Sequence, residues 1–355
     1  MTGLARPALS TNGMLSVVCR SPGELAIEER PLPERGPGEV LVRISRIGIC
    51  GTDYHIYEGL HPYLQYPRVM GHELSAEVLE AEPGSDFAPG DPVIIVPYLS
   101  CGTCVACRKG KTNCCTTLQC LGVHCDGGMC ERLSLPEANI FPAQGLTLDQ
   151  AAMVEFLAIG AHAVRRSQIA RGNRALVVGA GPIGIGTALF ARIAGAEVTL
   201  MDRVPAILEL AARITGITST VLADDNAAER ITALTGGENF DVVFDATGNA
   251  AAMEKSFDYA ASGGTYVLVG VVKDRLSFSD PDLHRRELTL LASRNATRED
   301  FETVVAEMRA GQIPSAAINT HTCALEELPV ALPRWLHDRV GVVKAMVRMP
   351  GAAAA

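Results

Sequence analysis

The side chains most able to do chemistry in this 355-residue chain are its cysteines. Eleven occur, and eight of them lie between Cys101 and Cys130. Cys101, Cys104 and Cys107 follow at intervals of three, with Cys114 and Cys115 soon after. Four thiolates at such spacing make a closed tetrahedral zinc site, the fourth drawn from Cys114 or Cys115. An iron–sulfur cluster is the rival. A ferredoxin run, however, places its fourth cysteine three residues on and follows it with proline, and neither holds here. Cys120, Cys125 and Cys130 read as free thiols serving as small buried groups. A second polar set is mixed: Cys50 offers sulfur, His72 nitrogen, and Glu73 and Glu155 oxygen. Such a set suits a catalytic zinc, which takes three protein ligands and keeps one place for water or substrate. Taken singly, each residue has a bland reading, since a lone cysteine in a β-rich segment is usually core and a His-Glu pair is usually satisfied locally.

The third concentration of chemistry is Gly179-Ala180-Gly181-Pro182-Ile183-Gly184, a G-x-G-x-x-G between an apolar run and a helical one. Gly179 makes the tight turn, Gly181 lets a pyrophosphate approach the backbone, and Gly184 lets helix and strand pack closely. Pro182 sits at the first helical position, where its missing N–H costs little. Ile183 opens the helix, whose free N–H groups face the phosphates. Asp202, at the end of the next apolar run, would accept from the adenosine ribose and repel a 2′-phosphate, which favours NAD over NADP. Arg203, beside it, is the one contrary sign.

These residues need elements to place them. Residues 14–150 are rich in Gly, Pro and Cys with short runs such as Val40–Ile44 and Pro92–Val96, which predicts an irregular β-rich unit. From Arg174 the pattern alternates. Apolar runs at 175–178, 197–201, 241–244, 265–269 and 288–291 are separated by helical stretches. Runs apolar on both faces, alternating with helices, predict a doubly wound α/β unit with a parallel sheet. The expected division is a disordered leader over 1–13, a zinc-bearing unit over 14–163, a dinucleotide-binding unit over 164–300, and a tail over 301–350 that is placed with the zinc-bearing unit although either unit could hold it. A helix near Arg298–Ala310 and a closing strand near Val342–Val347 are expected in that tail.

Composition narrows the function. The net charge of −9 is the wrong sign for a phosphate-backbone partner, so no nucleic acid is expected. No apolar run approaches the roughly 18 residues of a membrane span, so no membrane partner is expected either. Clustered cysteines without a secretory signal point to metal binding in the cytoplasm.

The motifs together resemble the zinc-dependent medium-chain dehydrogenases of the alcohol dehydrogenase superfamily. They are GICGTDYHIYEG (48–59), GHE (71–73), CGTCVACRKGKTNCC (101–115), VEFLAIGAHA (154–163), GAGPIG (179–184), DATG (245–248) and SRNATREDF (293–301). The resemblance runs from Met14 to Pro350. It implies a GroES-like catalytic domain joined to a Rossmann domain. It implies Cys50 and His72 as catalytic zinc ligands, Glu73 as ligand or near-ligand, and Glu155 as the acid at the zinc-bound water or a ligand. It implies Cys101, Cys104, Cys107 and Cys115 as the structural zinc set, and Thr52 and His55 as a proton relay. Thr247, Val269 and Asn295 would line the NAD site with Gly179, Gly181, Gly184 and Asp202. One residue departs: Phe156 follows Glu155 where polyol-type members usually carry proline.

The GHE and Glu155 pattern, with SRNATREDF, is most similar to the sorbitol, threonine and sugar-acid branch. The reaction so implied is hydride transfer from a secondary alcohol of a polyol or a hexonic acid such as gulonate or galactonate to NAD. Threonine is the enzymatic alternative, and a zinc- and NAD-binding protein without activity is the alternative of another class. Tyr54, Tyr57, His61, Tyr63 and Arg294 are candidate polar contacts for a hydroxylated substrate. Relatives of this kind are mostly dimers or tetramers, so a homodimer or homotetramer is expected.

Overall fold

A computed structural model describes residue 10 and residues 12–61 and 64–351. The leader expected over 1–13 falls almost wholly outside the described residues, as does Tyr63. The chain divides into two compact units, one from 1–155 and 318–355, the other from 156–317.

The first unit is built around the strand Glu39–Ile49. Its burial alternates through Val40, Val42 and Ile44, then becomes continuous from Ser45 onward. The change follows its partners. The first half pairs with Arg132–Pro136, and the second half pairs with Lys344–Arg348. Glu73–Glu80 runs antiparallel along the other edge, opposing Gly48 with Glu73. The sheet continues through Pro92–Ile95 to Ile140–Pro142 on one side and from Lys344–Arg348 to Asn319–Ala324 on the other. A smaller sheet orders Glu24–Pro31, Gly13–Ser21 and Arg68–Val69. A single apolar core of Leu, Ile, Val and Met side chains fills this unit, with Trp335 among them. Arg46, buried, holds Asp149 at 2.7 Å, which ties the start of the long helix Leu148–Ser167 to the central strand. Phe156 lies inside that helix and is fully buried. A residue with a backbone N–H continues the helix there, where proline would break its hydrogen-bond ladder.

The second unit carries six parallel strands in the order Thr220–Leu222, Glu197–Asp202, Arg174–Val178, Phe240–Asp245, Ala260–Leu268 and Thr289–Ala292. Ala175, Leu176, Val177 and Val178 are all buried, as a strand covered on both faces must be. The helix Pro205–Thr215 ends at Gly216 with φ +70°, a left-handed cap that glycine adopts freely.

The tail differs from the expected division. Helix Arg298–Arg309 belongs to the second unit, and the tail enters the first only from Ile318. The reason is local. Asp300 caps that helix through Thr297 N (2.8 Å), and its carboxylate accepts from His162 Nδ1 (2.8 Å) and Arg165 Nε (2.8 Å). The strands Asn319–Ala324 and Lys344–Arg348 instead find their partners beside Glu39–Ile49.

Burial alone would raise the Asp300 carboxyl, but the hydrogen bonds from His162 and Arg165 carry it well below the usual carboxylate range. Its folded pKa therefore lies below the unfolded value of about 3.9. The stability it contributes is complete above that value and is lost as pH falls through the folded one. Asp300→Asn should lower stability by about 1–3 kcal/mol at pH 7, read from the urea midpoint. The wild type and the variant should begin to converge below about pH 4 and coincide only once the pH has fallen through the folded pKa.

Candidate metal centres and dinucleotide site

Cys50 sits where the central strand ends and serves as N-cap of the short helix Gly51–Tyr57. Asp53 Oδ2 accepts from Cys50 N at 2.9 Å and closes that turn. His72 precedes the strand Glu73–Glu80 and follows Gly71, whose φ is +93°. The loop 122–128 packs directly on Gly71: a Cβ at Gly127 would come within 2.3 Å of Gly71 O, and Gly128 N donates to that oxygen at 2.8 Å. Backbone thus buttresses His72 without intervening side chains.

A sulfur of Cys50, a ring nitrogen of His72 and a carboxylate oxygen of Glu73 all lie within 4.8 Å of one another. Glu155, 2% exposed, lies outside that set on the long helix, near enough for its charge to act on His72. Its Oε1 accepts from the Tyr98 hydroxyl, while Oε2 is buried without a hydrogen-bond partner. His72 Nδ1 is likewise buried and unpartnered, 4.0 Å from Asp53 Oδ1. Burial pushes Glu155 up to about 7. Burial also opposes a charged His72, but Cys50, Asp53 and Glu155 outweigh it and hold its pKa well above the ordinary value. A largely buried volume that stabilises positive charge, offering S, N and O donors of which His72 Nδ1 and Glu155 Oε2 have no hydrogen-bond partner, fits a zinc ion.

The sulfurs of Cys101, Cys104, Cys107 and Cys115 form a second cluster within the same 4.8 Å limit. Hydrogen bonds from Thr103 pull the Cys101 thiol down to about 5, and the Cys107 N–H pulls Cys104 down to about 7. Burial pushes Cys107 up to about 11. Cys104 is N-cap of the turn Val105–Arg108, and Cys115 Sγ accepts from Cys101 N at 3.3 Å. This all-sulfur set fits a closed structural zinc site. Cys114 is exposed and is not one of the four clustered sulfurs, and Cys120, Cys125 and Cys130 are free thiols.

In the second unit Gly179 has φ +92° and Gly181 is N-cap of the helix Pro182–Ile193, with Pro182 in its first turn. A Cβ at Gly184 would fall 1.7 Å from Gly179 O, whereas one at Gly181 would meet open space. The first is the close packing of helix on turn, and the second is room for a ligand's approach. Ile183 is half-buried at the helix start. Asp202 has a further task that its position in the sequence did not show. Its Oδ2 accepts from Ala180 N (2.8 Å) and its Oδ1 from Val204 N (2.9 Å), so the carboxylate braces both turns at the sheet edge. Lone pairs remain for ribose hydroxyls. Arg203 is exposed beside it. Thr247 is fastened to Asp245 by its hydroxyl (2.7 Å), Val269 is buried, and Asn295 has φ +49°.

Thr52 is half-buried with Oγ1 3.8 Å from Cys50 Sγ, and His55 is exposed on the same helix. Of the polar candidates for substrate, Tyr54 is buried against Arg339, 5.2 Å over its ring, while Arg294 is exposed. Three site residues were not singled out by sequence. Asp53 and Tyr98 gave no separate signal among other turn and strand residues. Lys344 did, as the one charge in the apolar run Val342–Val347.

The chain is similar to known dehydrogenases in sequence and in fold. Residues 36–145 match the alcohol dehydrogenase GroES-like domain and residues 182–310 match the zinc-binding dehydrogenase domain. The chain is 41% identical over 341 residues to the L-galactonate-5-dehydrogenase of Escherichia coli K12, covering 96% of this chain and 99% of that one. A short chain alcohol dehydrogenase, rspB of E. coli CFT073, solved with NADH, superposes with TM-score 0.89 at 29% identity over 95% and 99% of the two chains. A zinc-binding dehydrogenase of Sinorhizobium meliloti 1021, solved with NADP, gives TM-score 0.85 at 31% identity over 95% and 99%. Fold and site define a dehydrogenase that uses zinc and a nicotinamide dinucleotide on a small molecule. The chain belongs to the zinc-binding alcohol dehydrogenase family. Among the described residues no helix is long and apolar enough to cross a membrane.

Two chemically distinct donor sets imply two metals per chain. Elemental analysis of the loaded protein should approach two zincs, and Cys107→Ser should remove one while leaving the other. A single zinc in wild type, unaffected by that substitution, would contradict the four-sulfur site.

Proposed function

We propose that this chain is an NAD-dependent dehydrogenase that oxidises a secondary alcohol of a hexonic acid of the galactonate or gulonate type. The observation that carries the substrate class is the 41% identity, over nearly the whole of both chains, to an enzyme named L-galactonate-5-dehydrogenase. Polyols of the sorbitol type are the second substrate class to be tried. Cys50 and His72, with Glu73 or Glu155, would hold the catalytic zinc, and Cys101, Cys104, Cys107 and Cys115 the structural one. When bound, zinc supplies a Lewis acid for the alcohol oxygen and NAD a hydride acceptor.

The chain's own residues do the rest. Thr52, beside Cys50, takes the alcohol proton through its hydroxyl and passes it on, and exposed His55 delivers it to solvent. Imidazole suits this because its ordinary pKa lies near neutrality. Asp202 holds the ribose and disfavours a 2′-phosphate, which supports NAD as the preferred dinucleotide despite Arg203 and the NADP-bound relative. Gly179, Gly181 and Gly184, with Pro182 and Ile183, shape the phosphate turn, and Thr247, Val269 and Asn295 line the same sheet edge. The enzyme works in the cytoplasm as a homodimer or homotetramer. Support for assembly comes from the edge strand Thr289–Ala292, which is paired on one side only and largely exposed.

Reduction of NAD and NADP over a panel of hexonates, polyols and threonine tests the reading. The highest kcat/KM is expected for a hexonate with NAD. A preference for threonine would overturn the substrate class, and a preference for NADP would overturn the role of Asp202.

His55→Ala tests the proton path. General-base assistance contributes about 10²–10⁴-fold, so oxidation near neutrality should fall by that order. The loss should shrink at high pH, where hydroxide takes the proton, with zinc content unchanged. Full activity across the pH range, or loss of zinc, would remove His55 from the path.

A further inference from the structure

Lys344 is the least expected group near the metal centre. It is 1% exposed and lies on the strand Lys344–Arg348. Its ammonium donates to Glu73 Oε1 at 2.6 Å, to Glu73 Oε2 at 2.7 Å and to Ile49 O at 3.2 Å. Two of these contacts go to the two oxygens of one carboxylate. Glu73 is itself fully buried. Strand register brings the two together: Glu73 opposes Gly48, and Ala345 opposes Ile49 on the other edge of the same strand. Gly48 leaves the space, since a Cβ there would fall 2.1 Å from Glu73 Oε2. The carboxylate therefore lies in a cradle built by three strands, with both oxygens turned to one cation. Glu155, by contrast, is met by a neutral hydroxyl on one oxygen and by no partner on the other.

We propose that Lys344 is a positioning residue of the metal centre. By gripping both oxygens of Glu73 it keeps that carboxylate from closing the place meant for an exogenous ligand, and leaves Glu155 as the free acid at the centre. The physical reason is competition. A buried carboxylate must be matched by positive charge, and without Lys344 the metal held by Cys50 and His72 is the cation to which Glu73 would turn. The inference rests on the metal reading of Cys50 and His72, which cobalt uptake by the wild type tests by itself.

The test uses full-length protein with zinc at the four-cysteine site and cobalt at the Cys50–His72 centre, titrated with imidazole and followed by the visible cobalt bands. The wild type should bind imidazole at the metal with a clear spectral shift. Lys344→Met should keep its cobalt but bind imidazole at least tenfold more weakly. Lys344→Arg should stay within threefold of wild type. The decisive variant is Glu73→Gln/Lys344→Met, which removes the competing carboxylate together with its partner and should regain wild-type imidazole binding within threefold. A merely structural role for Lys344 would not be rescued in this way. Glu73→Gln alone keeps the question open to refutation should Lys344→Met fail to fold. Its cobalt bands should match those of wild type, because no ligand has been lost. The proposal is overturned if Lys344→Met binds imidazole like wild type, if the double variant stays as weak as Lys344→Met, or if Glu73→Gln changes the cobalt bands. Failure of wild type to take up cobalt at Cys50 and His72 would instead overturn the metal reading.

Discussion

A thiol and two carboxylates are crowded around one imidazole in a largely buried volume, and the first unit is organised to make that tolerable. At an effective dielectric near 20, like charges 4.8 Å apart repel by about 3 kcal/mol, and burial adds its own penalty. The centre therefore needs positive charge. One cation is built into the chain as Lys344, a bound metal ion would be another, and His72 is held ready to carry positive charge in the metal's absence. Each polar atom left without a partner, Glu155 Oε2 and His72 Nδ1 among them, marks where the folded chain alone does not satisfy its own chemistry.

The scaffold meets this demand with strand register rather than with loops. Glu39–Ile49 brings Cys50 to its end, opposes Gly48 to Glu73, and sets Ile49 beside Ala345. Three segments far apart in sequence thus deliver sulfur, carboxylate and ammonium to one spot. Because side chains alternate along a strand, a slip of one residue would turn Glu73 or Lys344 to the opposite face. The glycines here matter for the same reason. Gly48 makes room for a carboxylate, and the Gly71–Gly127 contact lets backbone support backbone behind His72.

The second unit solves a simpler problem. A parallel sheet collects its strand ends at one edge, and helix starts add free N–H groups there. Asp202 serves this edge twice, bracing the glycine turn through Ala180 N and keeping lone pairs for a ribose. Asp245 fastens Thr247 in the same way. Acidic groups at strand ends thus shape the turns before any ligand arrives.

What could be read from the chain alone were features carried by local spacing. The four-cysteine run, the G-x-G-x-x-G turn and the apolar strands of the second unit each declare themselves within a few residues, because zinc geometry, a pyrophosphate turn and a doubly covered strand all impose short-range patterns. Cys50, His72, Glu73 and Glu155 could be named as candidates, but their separation by up to 105 positions along the chain hid their common place. The helix at Arg298–Arg309 was visible as a helix, yet its attachment to His162 and Arg165 was not, since a carboxylate's partner 138 residues away leaves no local trace. Only the tertiary structure decided that Asp300 fixes that helix in the second unit and that Asp202 braces two turns. It also decided that the single lysine of the closing strand grips Glu73. A charge in an apolar strand announces that it must be paired, but sequence cannot say with what, because the pairing is made by register between strands that the chain brings together only on folding.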